Sequence, residues 1–100
     1  MWRGTTPTHT FTIPDEVHIS DYDTIYITYS QNGRTIVEKN EEDIRIEDNK
    51  LRLTFTQADT LLFSPGQVKI QLRAKSASGQ AIASNIISTT AREILKDGEI

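Results

Sequence analysis

From Gln67 to Lys75 the chain alternates apolar and polar residues without a break. Val68, Ile70, Leu72 and Ala74 fall on one face of an extended strand, and Lys69, Gln71, Arg73 and Lys75 on the other. A helix would scatter both kinds of side chain around its circumference. The stretch therefore specifies a sheet with one dry side and one charged, wet side.

Strand signals recur on either side of it. Thr8 to Ile13 is rich in β-branched residues and stops at Pro14, which cannot donate to a ladder. Asp15 to Asp21 reads as a polar connection. Ile25, Ile27 and Tyr29 then share one face, with Thr24, Tyr26 and Thr28 opposite. The following Gln31-Asn32-Gly33 is a hairpin signal before Thr35 to Lys39. A two-residue Asn32-Gly33 turn would set Ile27 against Glu38. A three-residue loop with Gly33 left-handed sets Ile27 against Val37, which keeps the face apolar and is the favoured register. A two-residue turn at Asp48-Asn49 pairs Ile46 with Leu51 and Ile44 with Leu53, a self-consistent hairpin.

Thr56 followed by Asp59 resembles a capping box, with Asp where Glu or Gln is usual, and predicts one helical turn. That turn would tuck Leu61, Leu62 or Phe63 under the sheets before Pro65-Gly66 leads into the alternating strand. The return from Ala77-Ser78-Gly79 runs through Ala81 to Thr90 in one of two registers. A two-residue turn faces Ile70 with Ile87, and a three-residue loop faces Ile70 with Ile86.

About seven strands and one short helical turn describe an all-β fold, an immunoglobulin-like antiparallel β-sandwich. It would lack the disulfide and core tryptophan of antibody domains, since there is no cysteine and the single tryptophan is Trp2. An OB-type barrel is the alternative, but its oligonucleotide face is normally basic and aromatic. A chain of 100 residues makes one domain, expected over residues 5–90, with a leader at 1–4 and a tail at 91–100. At this size roughly 60 to 65% of the unfolded surface is buried, too little for a deep walled cavity, so any binding site is expected on the surface.

Composition narrows the function classes. A net charge of −3 argues against a nucleic-acid partner, which would call for a large basic face. No apolar stretch approaches the roughly 20 residues that span a bilayer, so no membrane partner is expected. The opening Met1 to Thr6 lacks the apolar run of a signal peptide, so secretion by that route is not expected. The absence of cysteine removes thiol nucleophiles and zinc-thiolate sites.

The only histidines, His9 and His18, read as exposed structural residues, and no Gly-x-Ser-x-Gly elbow occurs. Asp15, Glu16, Asp21 and Asp23 lack the glycine-punctuated loop of a calcium hand, and Glu41-Glu42-Asp43 reads as a solvated run that blunts a sheet edge. No catalytic residue, metal site or cofactor is expected, and the chain does not read as an enzyme.

What remains is surface. Lys69, Arg73 and Lys75 form one stripe. Trp2 and Arg3 are residue types enriched where proteins meet, although Trp2 could equally fold back on its own domain. In the tail, Ile94 and Leu95 sit among charges, either in a frayed end or in an adhesive segment that docks on a neighbouring subunit. Tyr22, Tyr26 and Tyr29 cluster in one segment and offer a different reading, a carbohydrate- or host-surface-binding module. Because Tyr26 and Tyr29 point to opposite faces, at most one of them shares a platform with Tyr22.

Several segments carry a family resemblance: Arg3 to Phe11, Ile27 to Gly33, Leu53 to Gln57, Ala83 to Ile87 and Ile94 to Gly98. Over essentially the whole chain they resemble a family of small proteins encoded in phages and prophages of Firmicutes, among tail and baseplate genes. The carboxyl-terminal half is more loosely similar to the β-sandwich at the start of phage baseplate upper proteins. The resemblance implies a non-enzymatic virion or assembly component located in the particle or in the host cytoplasm during assembly. Its implied partners are other tail or baseplate proteins, with homo-oligomerisation in a symmetric assembly. It implies no catalytic residue.

Overall fold

The computed structural model describes residues 1–100. Two antiparallel sheets face each other. The smaller has the order β1-β5-β4, formed by β1 (Thr8–Thr12), β4 (Ile44–Glu47) and β5 (Lys50–Thr54). The larger has the order β3-β2-β6-β7, formed by β2 (Tyr22–Gln31), β3 (Arg34–Asn40), β6 (Gly66–Ser76) and β7 (Ala81–Ala83). In it β8 (Ile87–Ala91) continues the edge beside β6. The helical turn α1 (Gln57–Leu61) joins β5 to β6.

In immunoglobulin terms β1, β5 and β4 stand as strands B, E and D, and β3, β2, β6 and β7–β8 as C′, C, F and G. The fold is therefore an immunoglobulin-like β-sandwich. Its eighth strand arises because the expected return strand is split into β7 and β8.

The period-2 pattern decides which faces meet. Ile25, Ile27 and Tyr29 from β2 and Val68, Ile70, Leu72 and Ala74 from β6 are all buried, packed on Leu51, Leu53 and Phe55 of the opposite sheet. Tyr29, Phe55 and Phe63 meet edge to face, with ring centroids 4.9 to 6.4 Å apart. Of Leu61, Leu62 and Phe63, Phe63 is the one tucked inside, Leu61 at the end of α1 is half-buried, and Leu62 faces solvent. The capping box forms in full: the Thr56 hydroxyl accepts from Asp59 N at 3.1 Å, and the Asp59 carboxylate accepts from Thr56 N at 3.0 Å.

The Asp48-Asn49 hairpin has the expected register, Ile46 on Leu51 and Ile44 on Leu53. The Asn32-Gly33 hairpin differs from expectation. Gln31 faces Arg34 across a two-residue turn with Asn32 and Gly33 both at positive φ, and the register then slips by one residue at Ile36. Beyond this bulge Tyr29 faces Val37 and Ile27 faces Lys39. The apolar face survives, through a bulge in place of a three-residue loop.

Both registers left open for the return strand are realised in different places. A three-residue loop sets Ala74 on Ile82, and one extra residue in the break between β7 and β8 then sets Ile70 on Ile87. Glu41–Asp43 is a 3-10 turn capped by Asn40, and the Glu41 carboxylate accepts from Ile25 N at 3.2 Å, so this acidic run also ties β3 to β2.

The two ends of the chain meet. Trp2 forms a parallel bridge with Arg92, carried by Arg92 N to Met1 O at 2.8 Å and Arg3 N to Arg92 O at 3.1 Å. Gly4, at φ +72°, lies so close to Ile94 that a Cβ there would come within 2.9 Å of Ile94 Cδ1. No helix is long and apolar enough to cross a membrane.

Candidate interaction surface

The outer face of the larger sheet follows from the same alternation that builds the core. With the odd residues of β2 from Ile25 on and the even residues of β6 from Val68 on turned inward, Thr24, Tyr26, Thr28 and Ser30 lie outside beside Lys75, Arg73, Gln71 and Lys69 respectively. Across β3 the rows extend to Asn40 beside Tyr26 and Glu38 beside Thr28. The Thr28 hydroxyl donates to Glu38 Oε2 at 3.0 Å, and Gln71 Nε2 donates to Ser84 O at 3.0 Å. A shallow hollow of about 390 Å³ runs over this surface between Tyr26, Glu38, Arg73 and Lys75.

Lys69, Arg73 and Lys75 are exposed, and none of them is in an ion pair; the four salt bridges of the chain lie elsewhere. Alternate residues of a strand are about 6.7 Å apart, so the three charges mark a stripe roughly 20 Å long. Tyr26, 43% exposed, is the large aromatic beside it. The stripe was legible from the alternation, whereas Tyr26 and Glu38 join it only through the β2–β3 and β2–β6 registers.

The second group divides. Trp2 is 53% exposed with the Arg92 guanidinium 5.4 Å over its ring, and Leu95 is fully exposed. Arg3, expected at the surface with Trp2, is instead drawn inward. Its Nε donates to Phe63 O at 2.6 Å and its guanidinium to Leu61 O at 3.2 Å, with Asp97 at 3.7 Å. It satisfies carbonyls at the end of α1, where a helix leaves its last C=O groups unpartnered. Ile94 is half-buried against Gly4. The tail folds back over α1, with Ile100 N donating to Gln57 Oε1 at 2.9 Å. Of the seven interface residues, Trp2, Lys69, Arg73, Lys75 and Leu95 remain accessible.

The three tyrosines do not form one platform. Tyr29 is buried, Tyr22 packs against the core, and Tyr26 stands on the outer face. His9 also departs from expectation. The parity that turns Phe11 inward turns His9 inward too. Its Nδ1 lies 2.7 Å from the Tyr29 hydroxyl and its ring packs edge-on against Phe55 at 5.1 Å. Burial holds the imidazole below its ordinary 6.5 and pushes the Tyr29 phenol well above its usual 10. His18 is exposed. No three His, Asp or Glu side chains come together in an arrangement that could hold a metal ion.

Fold and surface together define an immunoglobulin-like sandwich with a basic, aromatic-flanked sheet face. No family model and no curated protein matches the chain. Among solved structures it is similar to the V domain of amphioxus IgVJ-C2, at 15% identity over 94% of this chain and 97% of that one, with a TM-score of 0.38.

Proposed function

We propose that this chain is a non-enzymatic phage structural or accessory protein, associated with the tail or baseplate, that works by binding other proteins through the outer face of its larger sheet. The observation that carries the reading is the unpaired stripe of Lys69, Arg73 and Lys75 beside Tyr26, on a chain that is acidic as a whole. Charges held on one long central strand keep fixed spacing, which suits register-specific contact with an acidic patch on a partner. The resemblance to tail- and baseplate-encoded phage proteins supplies the setting.

Mass spectrometry of purified virions tests it. The chain is expected in the particle at structural copy number, and the triple variant Lys69→Glu, Arg73→Glu, Lys75→Glu is expected to fold and to be depleted from it. Absence of the wild-type chain from the particle overturns the tail reading. Undiminished incorporation of the variant overturns the role of the stripe.

A further inference from the structure

Four strand edges border the two sheets, and three carry features that keep edges from pairing with other chains. β4 has four residues and the charges Arg45 and Glu47. β3 is bent by the Ile36 bulge and carries Arg34, Glu38 and Lys39. β7 and β8 are short and separated by a break. β1, as short as β8, has no charge, bulge or break to protect it. Thr8-His9-Thr10-Phe11-Thr12 contains no Lys, Arg, Asp, Glu or Pro, and its register with β5 is unbroken.

The ladder shows which backbone groups this edge leaves open. Phe55 N donates to Pro7 O and Ile13 N donates to Asn49 O, each at 3.0 Å, so the odd-numbered residues turn their N–H and C=O toward β5. Thr8, Thr10 and Thr12 turn theirs outward, and no hydrogen bond outside the ladder reaches them. In an immunoglobulin sheet strand A would lie beside this edge. Here the segment before β1 pairs with Arg92 in the other sheet instead. Alongside the open edge runs an apolar groove of about 630 Å³, lined by Phe11, Ile13, Val17, Ile82 and Ile87.

We propose that β1 pairs antiparallel with β1 of a second copy, about a two-fold axis through Thr10. A two-fold contact must be self-complementary, and Thr-x-Thr-x-Thr reads alike in both directions about its centre. Thr10 then faces Thr10 of the second copy, and Thr8 faces Thr12. These are the residues whose backbone groups point outward, so the pairing makes about six N–H···O bonds and leaves no N–H on the strand edge open.

Cross-strand threonine pairs are favourable, and no like charges oppose each other. The nearest cations, Arg52 of each β5, sit opposite Thr10 and are separated by both β1 strands, about 14 Å at strand spacing and beyond the Debye length in physiological salt. With the axis normal to the sheet, Phe11 of each copy faces His9 of the other, and the second β1 runs along the side of the groove that Phe11 lines. The buried area of a five-residue edge and its groove belongs to the small, transient class of interface, so the dimer is weak and concentration-dependent. It is independent of whether the chain is a tail component.

Sedimentation equilibrium from about 10 µM to about 1 mM tests the proposal. The weight-average mass is expected to rise from 11.3 kDa toward twice that value, with amide exchange at Thr8, Thr10 and Thr12 slowing in step. Thr10→Lys sets two ammonium groups opposite each other at an exposed position, and Thr10→Pro removes an N–H that the β5 ladder does not use. Both are expected to weaken the dimer at least about tenfold, with Thr10→Lys keeping the wild-type urea midpoint. A wild type that stays at 11.3 kDa throughout, a dimer that Thr10→Lys leaves intact, or protection of the β1 amides only when a different protein is added overturns it.

Discussion

Replacing Lys39 by Met probes the contact that fastens α1 to the edge of the larger sheet. Lys39 Nζ lies 2.9 Å from Asp59 Oδ2, with the two side chains only 17% and 20% exposed, and 5.8 Å from the Phe55 ring centroid. An exposed pair would contribute about 0–1 kcal/mol, and breaking a fully buried one costs about 3–5 kcal/mol. The Met side chain keeps the apolar stem on Phe55, and Asp59 keeps its bond from Thr56 N, so the carboxylate is not stranded. The expected cost is therefore about 2 kcal/mol, the range of a hydrogen bond between charged groups.

Urea unfolding should show that loss with an unchanged m value, and a thermal melt should show a fall of about 10 °C for a domain of this size. In a double-mutant cycle with Asp59→Asn the coupling should be about 1–1.5 kcal/mol. Burial alone would raise the Asp59 pKa, but the Thr56 N–H and the Lys39 ammonium outweigh it and hold the carboxyl below its ordinary 3.8. Because the folded value lies below the unfolded one, this stabilisation is complete above the ordinary range and lost as pH falls through the depressed value. The Lys39→Met protein should lose stability less steeply there. A cost under about 0.5 kcal/mol, or coupling within the roughly 0.3 kcal/mol seen for independent sites, would refute the argument that partial burial strengthens this pair.

His9 gives a pH dependence of different origin. Its folded pKa is held below 6.5, so the unfolded chain takes up the proton first; stability is full above that value and declines as pH falls from it toward the depressed folded value. Urea midpoints between about pH 7.5 and 5 should show the decline, and His9→Gln should remove most of it. Asn49 sits at φ +61° with Nδ2 donating to Ile13 O at 2.8 Å and Pro14 O at 3.1 Å; Asn49→Ala should cost about 2 kcal/mol in thermal melts, and Asn49→Gly less, because it restores only the backbone freedom. Phe63→Ala should cost about 3–5 kcal/mol by urea unfolding, while the neighbouring, exposed Leu62→Ala should stay within about 0.5 kcal/mol.

Wherever two local constraints agree, the fold can be read from the residues. Asp48-Asn49 turn chemistry and apolar pairing demand the same register, and Ile44 meets Leu53 accordingly. At Asn32-Gly33 they conflict: the turn prefers two residues and the apolar face needs the opposite parity. The chain meets both demands by adding Ile36, and a bulge leaves no mark in composition. The break between β7 and β8 resolves a similar conflict.

The stripe of the candidate surface is legible because strand periodicity alone sets Lys69, Arg73 and Lys75 side by side. Arg3 is not, because its partners Leu61 and Phe63 are nearly sixty positions away and the clasp exists only after folding. His9 was recoverable from the parity of Phe11, but a lone histidine between threonines carries no sign of the Tyr29 hydroxyl waiting across the core.

The bridge between Trp2 and Arg92 has a kinetic consequence. Met1 and Thr90 are bonded across 89 positions, so closing this contact bears nearly the largest loop entropy the chain can present. Hairpins such as β4–β5 form with far shorter loops, which makes the parallel bridge, with Gly4 and Ile94 beneath it, a late event in folding. Interactions absent from the transition state govern the rate of unfolding and not the rate of folding. The meeting of the two ends is thus expected to act as a latch on lifetime: loosening it at Ile94 should shorten the survival of the folded molecule while leaving the speed of its formation almost untouched.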